Sequence, residues 1–351
     1  MPEPRRDEGH PRLIEIAPGA AMPVALAPMR PRLALDAFNS PDWLFELKWD
    51  GIRALAIGRE DGVRVVDRYG GDLLPLVPEL REVRLPAGTM LDGEVVVVDG
   101  RGRPSYELLA ARAGPKALRR GRGPYFVAFD LLYAGGRALL AMPLHERRAR
   151  LLAGPYGGRR VFVPEHLERD GEPFFEVVAE YGLEGIVAKR RDGRYVPGAH
   201  TLDWLKYHVT PRADVVLGAL IGDDRRGATS ALVGYTAEAG RLAYAGEALV
   251  PPFLAHWLDD ATRDLTAPGS AFTSPIPLRP GLRWLRPKLV AIVEHGGSDV
   301  RMLGDARFRQ IRFDARPDDC RPEEPVAVPS GPPSGRVERP RLVLMQSLPL
   351  D

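Results

Sequence analysis

A stretch of alternating apolar and charged residues near the start of the chain predicts a strand that presents charged side chains on one face. Apolar side chains occupy every odd position from 43 to 49, whereas Glu46, Lys48 and Asp50 lie at even positions, and this is the period of a half-buried strand. The alternation breaks after Gly51. Because a shift of one residue moves every side chain to the opposite face, we predict a strand, a turn or bulge at Gly51, and a second strand.

Similar patterns predict further strands and helices in the first two thirds of the chain. Apolar runs bounded by turn residues indicate strands at 62–70, 89–98, 125–132, 183–189 and 204–208. Helical spacing of apolar residues indicates helices at 78–84, 106–112, 144–152 and 174–181. In the helix at 144–152 the basic residues are expected on the outer, solvated face. Charged residues at the strand ends would then be held at fixed places.

From residue 210 onward the pattern changes to short strands that are typical of a small barrel. These strands are expected at 215–221, 231–235, 242–246 and 288–294, with a helix at 252–265 and a closing basic segment at 307–312. Both ends of the chain are rich in proline, which favours disordered tails. We therefore expect a tail at 1–23, a first domain at 24–209, a barrel domain at 210–317 and a Pro-rich tail at 318–351.

Composition supports two folded domains and excludes few functions. The 351 residues and a hydrophobic content of 44% allow real cores. A net charge of +2 does not by itself indicate a nucleic-acid partner. The single cysteine, Cys320, excludes an internal disulfide and is typical of a reducing cytoplasm. No apolar run reaches the length of a membrane span.

The basic residues are unevenly divided between the two types, and this draws attention to Lys48. The chain has five lysines among 49 basic residues, so lysine is kept where an amine is needed. A lysine whose pKa is lowered by partial burial and by neighbouring cations can act as a nucleophile. The alternative is a strand lysine that pairs with Glu46 or Asp50. A single Lys-x-Asp-Gly pattern does not decide between the two, so the rest of the chain must.

Taken together, the charged residues at strand ends include more cations than acids. They are Lys48, Arg53, Arg68, Glu94, Glu184, Lys189, Lys206 and Arg312. Amines and guanidiniums bind phosphate oxygens and carboxylates bind Mg²⁺, so the set suits a nucleoside triphosphate with one metal ion. The chain has no P-loop pattern and no His/Cys spacing for zinc. Singly, Glu94 could be a solvated strand end, Phe129 a core residue, and the segment 307–312 a solvated basic edge.

The order of these motifs resembles that of ATP-dependent DNA ligases. The motifs are Glu-x-Lys-x-Asp-Gly-x-Arg at 46–53, Asp-Gly-Glu at 92–94, Phe-Asp at 129–130, Glu-Gly-Ile-Val-Ala-Lys at 184–189 and Trp-Leu-Lys at 204–206. The resemblance extends over residues 24–316 and is nearest to small bacterial ligases and to the ligase modules of bacterial end-joining enzymes. It implies an α+β fold, in which a nucleotidyltransferase domain, ATP-grasp-like and dedicated to adenylation, precedes a small OB-fold β-barrel.

The resemblance also implies a role for each residue. Lys48 would attack the α-phosphate of ATP and form lysyl-AMP, which is passed to the 5′-phosphate of a nick and displaced by the 3′-hydroxyl. Glu46 would read the adenine amino group and Phe129 would stack on the ring. Arg53, Arg68 and Glu94 would hold the ribose, the neighbouring phosphate and the nick end. Glu184 and Glu94 would bind Mg²⁺. Lys189 and Lys206 would contact the α-phosphate, and Arg312 would contact the departing pyrophosphate.

Several positions depart from the family pattern, mainly on the side of the leaving group. His208 replaces a second lysine, Ala315 replaces the lysine of the last motif, and Gly304 replaces an earlier arginine. Two alternatives therefore stay open: an RNA ligase or capping-type nucleotidyltransferase, and a scaffold that binds nicks or ends with weakened catalysis. The expected partners are nicked double-stranded DNA and a Ku-like end-binding protein, with the protein a monomer in the cytoplasm or nucleoid.

Overall fold

The computed structural model describes residues 22–113, 121–156, 158–223, 225–297 and 299–328. The chain divides between Tyr207 and His208 into two units. The first contains both helices and strands and the second consists mainly of strands, so the fold is α+β. None of the helices in these ranges is long and apolar enough to cross a membrane.

The first unit is built on two sheets and three α-helices. Its strands are β1 Arg30–Leu33, β2 Asn39–Leu47, β3 Ile52–Arg59, β4 Gly62–Asp67, β5 Met90–Val98, β6 Arg122–Ala134, β7 Arg137–Ala138, β8 Val161–Phe162, β9 Leu167–Asp170, β10 Gly185–Arg190 and β11 His200–His208. Its helices are α1 Tyr106–Ala110, α2 Leu144–Ala153 and α3 Gly171–Glu180, with a 3-10 helix at Pro78–Glu82. The expected strands and helices of this region are confirmed, with ends shifted by a few residues.

The two sheets have different strand orders, and one of them has an apolar core on each face. One has the strand order β1-β11-β10-β2-β9, and β2 runs antiparallel to β10. The other has the order β4-β3-β5-β6-β7, with β8 parallel to β6. Along β3 of the second sheet, Ala54 and Ala56 belong to one apolar cluster, and Leu55 and Ile57 belong to another. This sheet therefore has a core on each face, which explains the unbroken apolar run in β3.

The predicted turn at Gly51 is confirmed, and its cause is a close approach of backbone. Strand β2 ends at Leu47, β3 begins at Ile52, and residues 50–51 form a bend. A Cβ atom at Gly51 would lie 2.3 Å from the carbonyl oxygen of Val95 and 2.9 Å from Cγ of Glu94. Only glycine fits there, so the turn that follows Lys48 is tied to the strand that carries Glu94.

The second unit is a closed barrel. Its strands are β12 Arg212–Asp223, β13 Gly227–Thr236, β14 Leu242–Leu249, β15 Leu282–Trp284, β16 Val290–Gly296 and β17 Gly304–Arg312. Pairing runs β13-β14-β17-β16-β12 and returns from β12 to β13, while β15 lies at the edge on β12. The expected strands are all present, and the basic segment at 307–312 is part of β17. The helix expected at 252–265 is α4 Ala255–Thr262 between the 3-10 turns Pro252–Leu254 and Arg263–Leu265.

The Pro-rich tail predicted at 318–351 is ordered at its beginning, so the expectation of disorder is wrong for its first residues. Pro317–Asp319 form a 3-10 helix, and Cys320 is buried. The amide of Thr236 donates a hydrogen bond to the carbonyl of Cys320, and its hydroxyl donates to the carbonyl of Pro317. Proline needs no amide partner, so such a segment can bind a strand through carbonyls alone. Residues 1–21 and 329–351 lie outside the described residues.

Candidate active site

Lys48 follows directly on β2 and is ion-paired with an acid from the neighbouring strand. Its Nζ lies 2.8 Å from Oε1 of Glu184. The amide of Lys48 donates to the carbonyl of Gly185, which fixes the residue beside the start of β10. The side chain is half-buried, with 23% of its surface exposed. An amine, a carboxylate and an accessible face are thus combined at one point.

The protonation of Lys48 differs from the expectation. Burial acts to lower the pKa of Lys48, but the carboxylates of Glu184, Glu94 and Asp50 outweigh it, and the pKa is raised above its ordinary value. Partial burial and neighbouring cations were expected to lower this pKa, and that expectation is wrong. Lys48 is an ammonium ion until something weakens the pull of the acids around it.

Alternation along a strand would place Glu184 and Lys189 on opposite sides, yet both face β2 residues. Glu184 precedes β10, and Gly185, the first residue of β10, has a φ of 155°. This backbone conformation is open to glycine and strained for other residues. It turns the Glu184 side chain toward Lys48, while Lys189 lies near Glu46. The change of face between Glu184 and β10 therefore lies at Gly185.

A second ion pair forms the other end of the site. Nζ of Lys189 lies 2.6 Å from Oε2 of Glu46, and both side chains are almost fully buried. The same Nζ lies 4.2 Å from the ring centre of Phe129 and 4.4 Å from that of Trp204. These are cation–π distances. The Lys189 amine thus contacts both the Glu46 carboxylate and the Phe129 ring.

The contacts of Lys189 differ from the role that the family resemblance implies. A lysine on the α-phosphate needs a free ammonium group, whereas this one is committed to Glu46 and has 2% of its side chain exposed. Burial lowers the pKa of Lys189 more than the acid partners raise it. The contact with the α-phosphate stays a prediction, and the geometry favours a supporting role beside Phe129.

Arg53 on β3 is fixed by a buried network. Its Nε and Nη2 each donate to Asp92 at 2.7 Å, and Nη2 also donates to the carbonyl of Met29 at 3.1 Å. The hydroxyl of Tyr195 donates to the same carboxylate at 2.8 Å. The guanidinium lies 4.6 Å from the ring centre of Phe129. Arg53 is thus aimed at the aromatic end of the site by residues that are themselves buried.

Replacing Asp92 with alanine is expected to lower the free energy of unfolding by about 3–5 kcal/mol, because the largely buried Arg53 guanidinium would lose the carboxylate that accepts two of its hydrogen bonds. Asp92 is fully buried and holds Arg53 with two bonds. Urea denaturation of the full chain measures the change. The exposed pair Arg59–Asp61 supplies the control, since loss of a solvated partner changes little. A small effect of Asp92→Ala would mean that water replaces the carboxylate.

The other predicted residues lie at defined places in the two units. Glu94 on β5 lies directly opposite Arg53 of the neighbouring strand β3. Arg68 follows β4 in a turn that is closed by hydrogen bonds from the amides of Tyr69 and Gly71 to Oδ1 of Asp67.

The two remaining cations of the predicted set belong to different units. Lys206 on β11 lies opposite Leu33 of β1. Arg312 belongs to β17 of the second unit, where its guanidinium bonds Asp314 and lies 3.7 Å from Asp214. Every predicted site residue except Arg312 thus belongs to the first unit.

Comparison with known proteins identifies the family. A family model described as "ATP dependent DNA ligase domain" matches residues 25–208. The chain belongs to the ATP-dependent DNA ligase family. The resemblance inferred from the order of the motifs is confirmed.

Two relatives of this chain and one solved structure give the extent of the similarity. The chain is 34% identical over 293 residues to the multifunctional non-homologous end joining DNA repair protein LigD of Mycobacterium tuberculosis. This alignment covers 80% of the chain and 37% of that protein. The chain is also 34% identical over 238 residues to DNA ligase C1 of Mycolicibacterium smegmatis, covering 63% and 68%. The structure of mycobacterial DNA ligase D complexed with ATP and MES matches with a TM-score of 0.62 at 32% identity, covering 85% and 98%. The chain therefore spans less than half the length of the first of these relatives.

Two buried arginines of the ligase were missed by sequence reasoning. The basic residues of α2 were expected on its solvated face, but Arg147 and Arg148 are 0% and 1% exposed, so that expectation is wrong. Each has an acid partner, Asp130 at 2.8 Å for Arg147 and Glu46 at 3.6 Å for Arg148. A charged residue inside an apolar strand, as Asp130 is, needs such a partner. Asp130 was therefore the residue in the sequence that could have indicated a buried cation.

A metal ion would need ligands from the substrate as well as from the ligase. Among the described residues, no group of three acids, histidines or cysteines is close enough to hold an ion. Mg²⁺ is usually bound by one or two carboxylates together with phosphates. Glu184 and Glu94 both act on the charge of Lys48, so two carboxylates surround the amine that would meet the phosphate. The donor set suits Mg²⁺ once a triphosphate is present.

Proposed function

We propose that this chain is an ATP-dependent DNA ligase that seals nicks bearing a 5′-phosphate and a 3′-hydroxyl by way of lysyl-AMP, in DNA repair or end joining. The proposal rests on two ion pairs that lie side by side between β2 and β10. Lys48 and Glu184 form the reactive end, and Glu46 and Lys189 form the end beside Phe129. We place the adenine base at the end beside Phe129 and the α-phosphate at the end with Lys48.

The first step requires Lys48 to lose a proton and attack the α-phosphate in line with the departing pyrophosphate. Oε1 of Glu184, at 2.8 Å, is the nearest acceptor for that proton. Mg²⁺ held by Glu184 and Glu94 would neutralise charge on the phosphate oxygens. Arg53 would bind the ribose, and Arg68, Lys206 and Arg312 are proposed at the phosphates and the nick.

In the later steps the AMP moves from Lys48 to the 5′-phosphate, and the 3′-hydroxyl displaces it to form the phosphodiester bond. Binding depends on contacts with the DNA backbone, so we expect no sequence preference. We assign adenylation to residues 24–209 and an OB-fold to residues 210–317. Nicked double-stranded DNA is the proposed substrate in the cytoplasm or nucleoid, with a Ku-like recruiting protein and a monomeric ligase as further proposals.

One experiment tests the whole sequence of reactions. The protein is incubated with radiolabelled ATP and Mg²⁺, and then with a nicked duplex, while label and strand length are followed. Label should appear first on the protein, then on the 5′ end, and finally as free AMP when the strand lengthens. Labelled GTP in a parallel reaction tests the capping-type alternative. Absence of label on the protein would contradict the proposal and favour a binding scaffold.

The altered last motif leads to a prediction for Arg312. Arg312→Ala is expected to slow formation of the enzyme–AMP adduct and to spare sealing of a duplex that already carries a 5′-adenylate. The reason is that a contact with pyrophosphate matters only while pyrophosphate is present. Rates on the two substrates are compared in single-turnover reactions. Arg301→Ala, which removes an exposed arginine of the same unit, serves as the control.

Equal losses on the two substrates would place Arg312 in DNA binding instead. A steep dependence of the loss on salt concentration would support that reading, because phosphate contacts weaken as salt rises.

A further inference from the structure

Arg148 is a buried cation that the chemistry at Lys48 does not use. It lies on α2 with 1% of its surface exposed. Its Nη2 donates to the carbonyl of Pro164, and its Nε lies 3.6 Å from Oε1 of Glu46. Within the described residues, its Nε and Nη1 have no hydrogen-bond acceptor. The guanidinium is thus anchored at one nitrogen and turned toward Glu46.

Glu46 is held between two cations, one at each oxygen. Oε2 accepts a hydrogen bond from Lys189 at 2.6 Å. Oε1 is buried and has no hydrogen-bond donor in the part of the chain that the structure describes, while Arg148 approaches it at ion-pair distance. A carboxylate oxygen accepts hydrogen bonds and does not donate them. Oε1 is therefore an oriented acceptor that awaits a donor.

A purine with an amino group supplies such a donor. Adenine carries an amino group at the position where guanine carries a carbonyl oxygen. An oriented carboxylate therefore favours adenine, because guanine would set one acceptor against another. Burial lowers the pKa of Lys189, whereas an arginine stays protonated. Of the two cations on Glu46, Arg148 is the one with a permanent charge.

We propose that Arg148 is a positioning residue that fixes the Glu46 carboxylate with Oε1 toward the amino group of adenine, and that it thereby makes the site select ATP over GTP. The inference rests on the proposed ligase function. It extends that function by assigning the choice of nucleotide to a residue that touches the base only through Glu46.

The test measures nucleotide selectivity rather than activity alone. Single-turnover adduct formation is followed with labelled ATP, GTP and purine riboside triphosphate, which lacks the amino group. The wild type should use ATP best. Arg148→Met should reduce the preference for ATP over each competitor by about tenfold, the size expected when one hydrogen bond is misplaced. Arg148→Lys should retain part of the preference, because its charge is kept without the guanidinium geometry.

Two control variants on α2 separate positioning from packing. Arg147→Met removes the neighbouring buried arginine and its pair with Asp130, and it should lower stability while leaving the ratio between nucleotides unchanged. Arg150→Met removes an exposed arginine and should change neither.

Each outcome decides the matter. If Arg148→Met slows ATP and GTP equally, or the wild type uses both equally well, the inference is overturned while the ligase proposal stands. If Arg148→Met does not fold, an unchanged ratio in Arg148→Lys overturns the inference, and a ratio lowered at least about threefold supports it. If the wild type forms no adduct with any nucleotide, the proposed function fails as well.

Discussion

Lys48→Ala is expected to abolish the denaturation-resistant adduct between the protein and AMP, and with it the sealing of a nick with ATP. The substitution removes the one amine that faces both an acid partner and solvent at the end of β2. Lys48→Arg should be as inactive, since a guanidinium stays protonated and cannot attack phosphorus. The measurement is gel detection of label from α-labelled ATP, and the expected loss is at least on the order of 1,000-fold.

The control for this experiment is Lys288→Ala, which removes an exposed lysine of the second unit and should leave adduct formation unchanged. Circular dichroism should show that Lys48→Ala keeps the fold, because the Lys48 side chain is partly exposed and is not one of the core residues. Label on Lys48→Ala at the level of the wild type would place the nucleophile elsewhere and remove the central claim.

Glu184→Ala is expected to slow adduct formation on the order of 100-fold while ATP still binds. Glu184 Oε1 is the nearest acceptor for the Lys48 proton, and the same carboxylate is the proposed Mg²⁺ ligand. ATP binding is proposed to depend on Glu46 and Phe129 at the other end of the site, so titration with ATP should give a nearly unchanged dissociation constant. The rate is measured over a range of Mg²⁺ concentrations.

If Glu184 binds the metal ion, the effect of Mg²⁺ concentration on the rate should depend on whether Glu184 is present. High Mg²⁺ should recover part of the rate lost in Glu184→Ala, because a weakened site fills at higher concentration. Glu176→Ala removes an exposed acid from α3 and should behave as the wild type at every Mg²⁺ concentration. Independent effects of Mg²⁺ and of Glu184 on the rate would contradict the metal role.

The strands around Lys48 could be predicted because their causes are local. A period of two residues is written into β2, and its break at Gly51 corresponds to a place where a Cβ would meet the carbonyl of Val95. The strands of the barrel likewise follow from short apolar runs between turns. The order of the motifs pointed to the family before any distance was known, because an ordered set is more specific than its members.

The burial of charge could not be read from local pattern. Arg147 and Arg148 have the spacing of a solvated helix face, and only the fold shows that Asp130 and Glu46 meet them. The protonation of Lys48 depends in the same way on acids from other strands. Periodicity reports which side of an element is apolar, and it does not report which charges become partners across the core.

The two ion pairs across β2 and β10 have a consequence for how the chain folds. A slip by one residue would turn each side chain to the wrong face, so the nearest competing alignment is a slip by two. In the native alignment Val187 lies opposite Glu46. A slip in one direction would set Val187 opposite Lys48 and move Glu184 further along, which separates Lys48 from Glu184.

A slip in the other direction would set Val187 opposite Leu44 and Lys189 opposite Asp42, which moves Lys189 away from Glu46. Either slip breaks one of the two ion pairs, and a buried charge that loses its partner is costly in the interior. The residues proposed to handle ATP therefore also favour the correct alignment of the two strands, and exchanging Glu46 and Lys48 would set like charges together in that alignment.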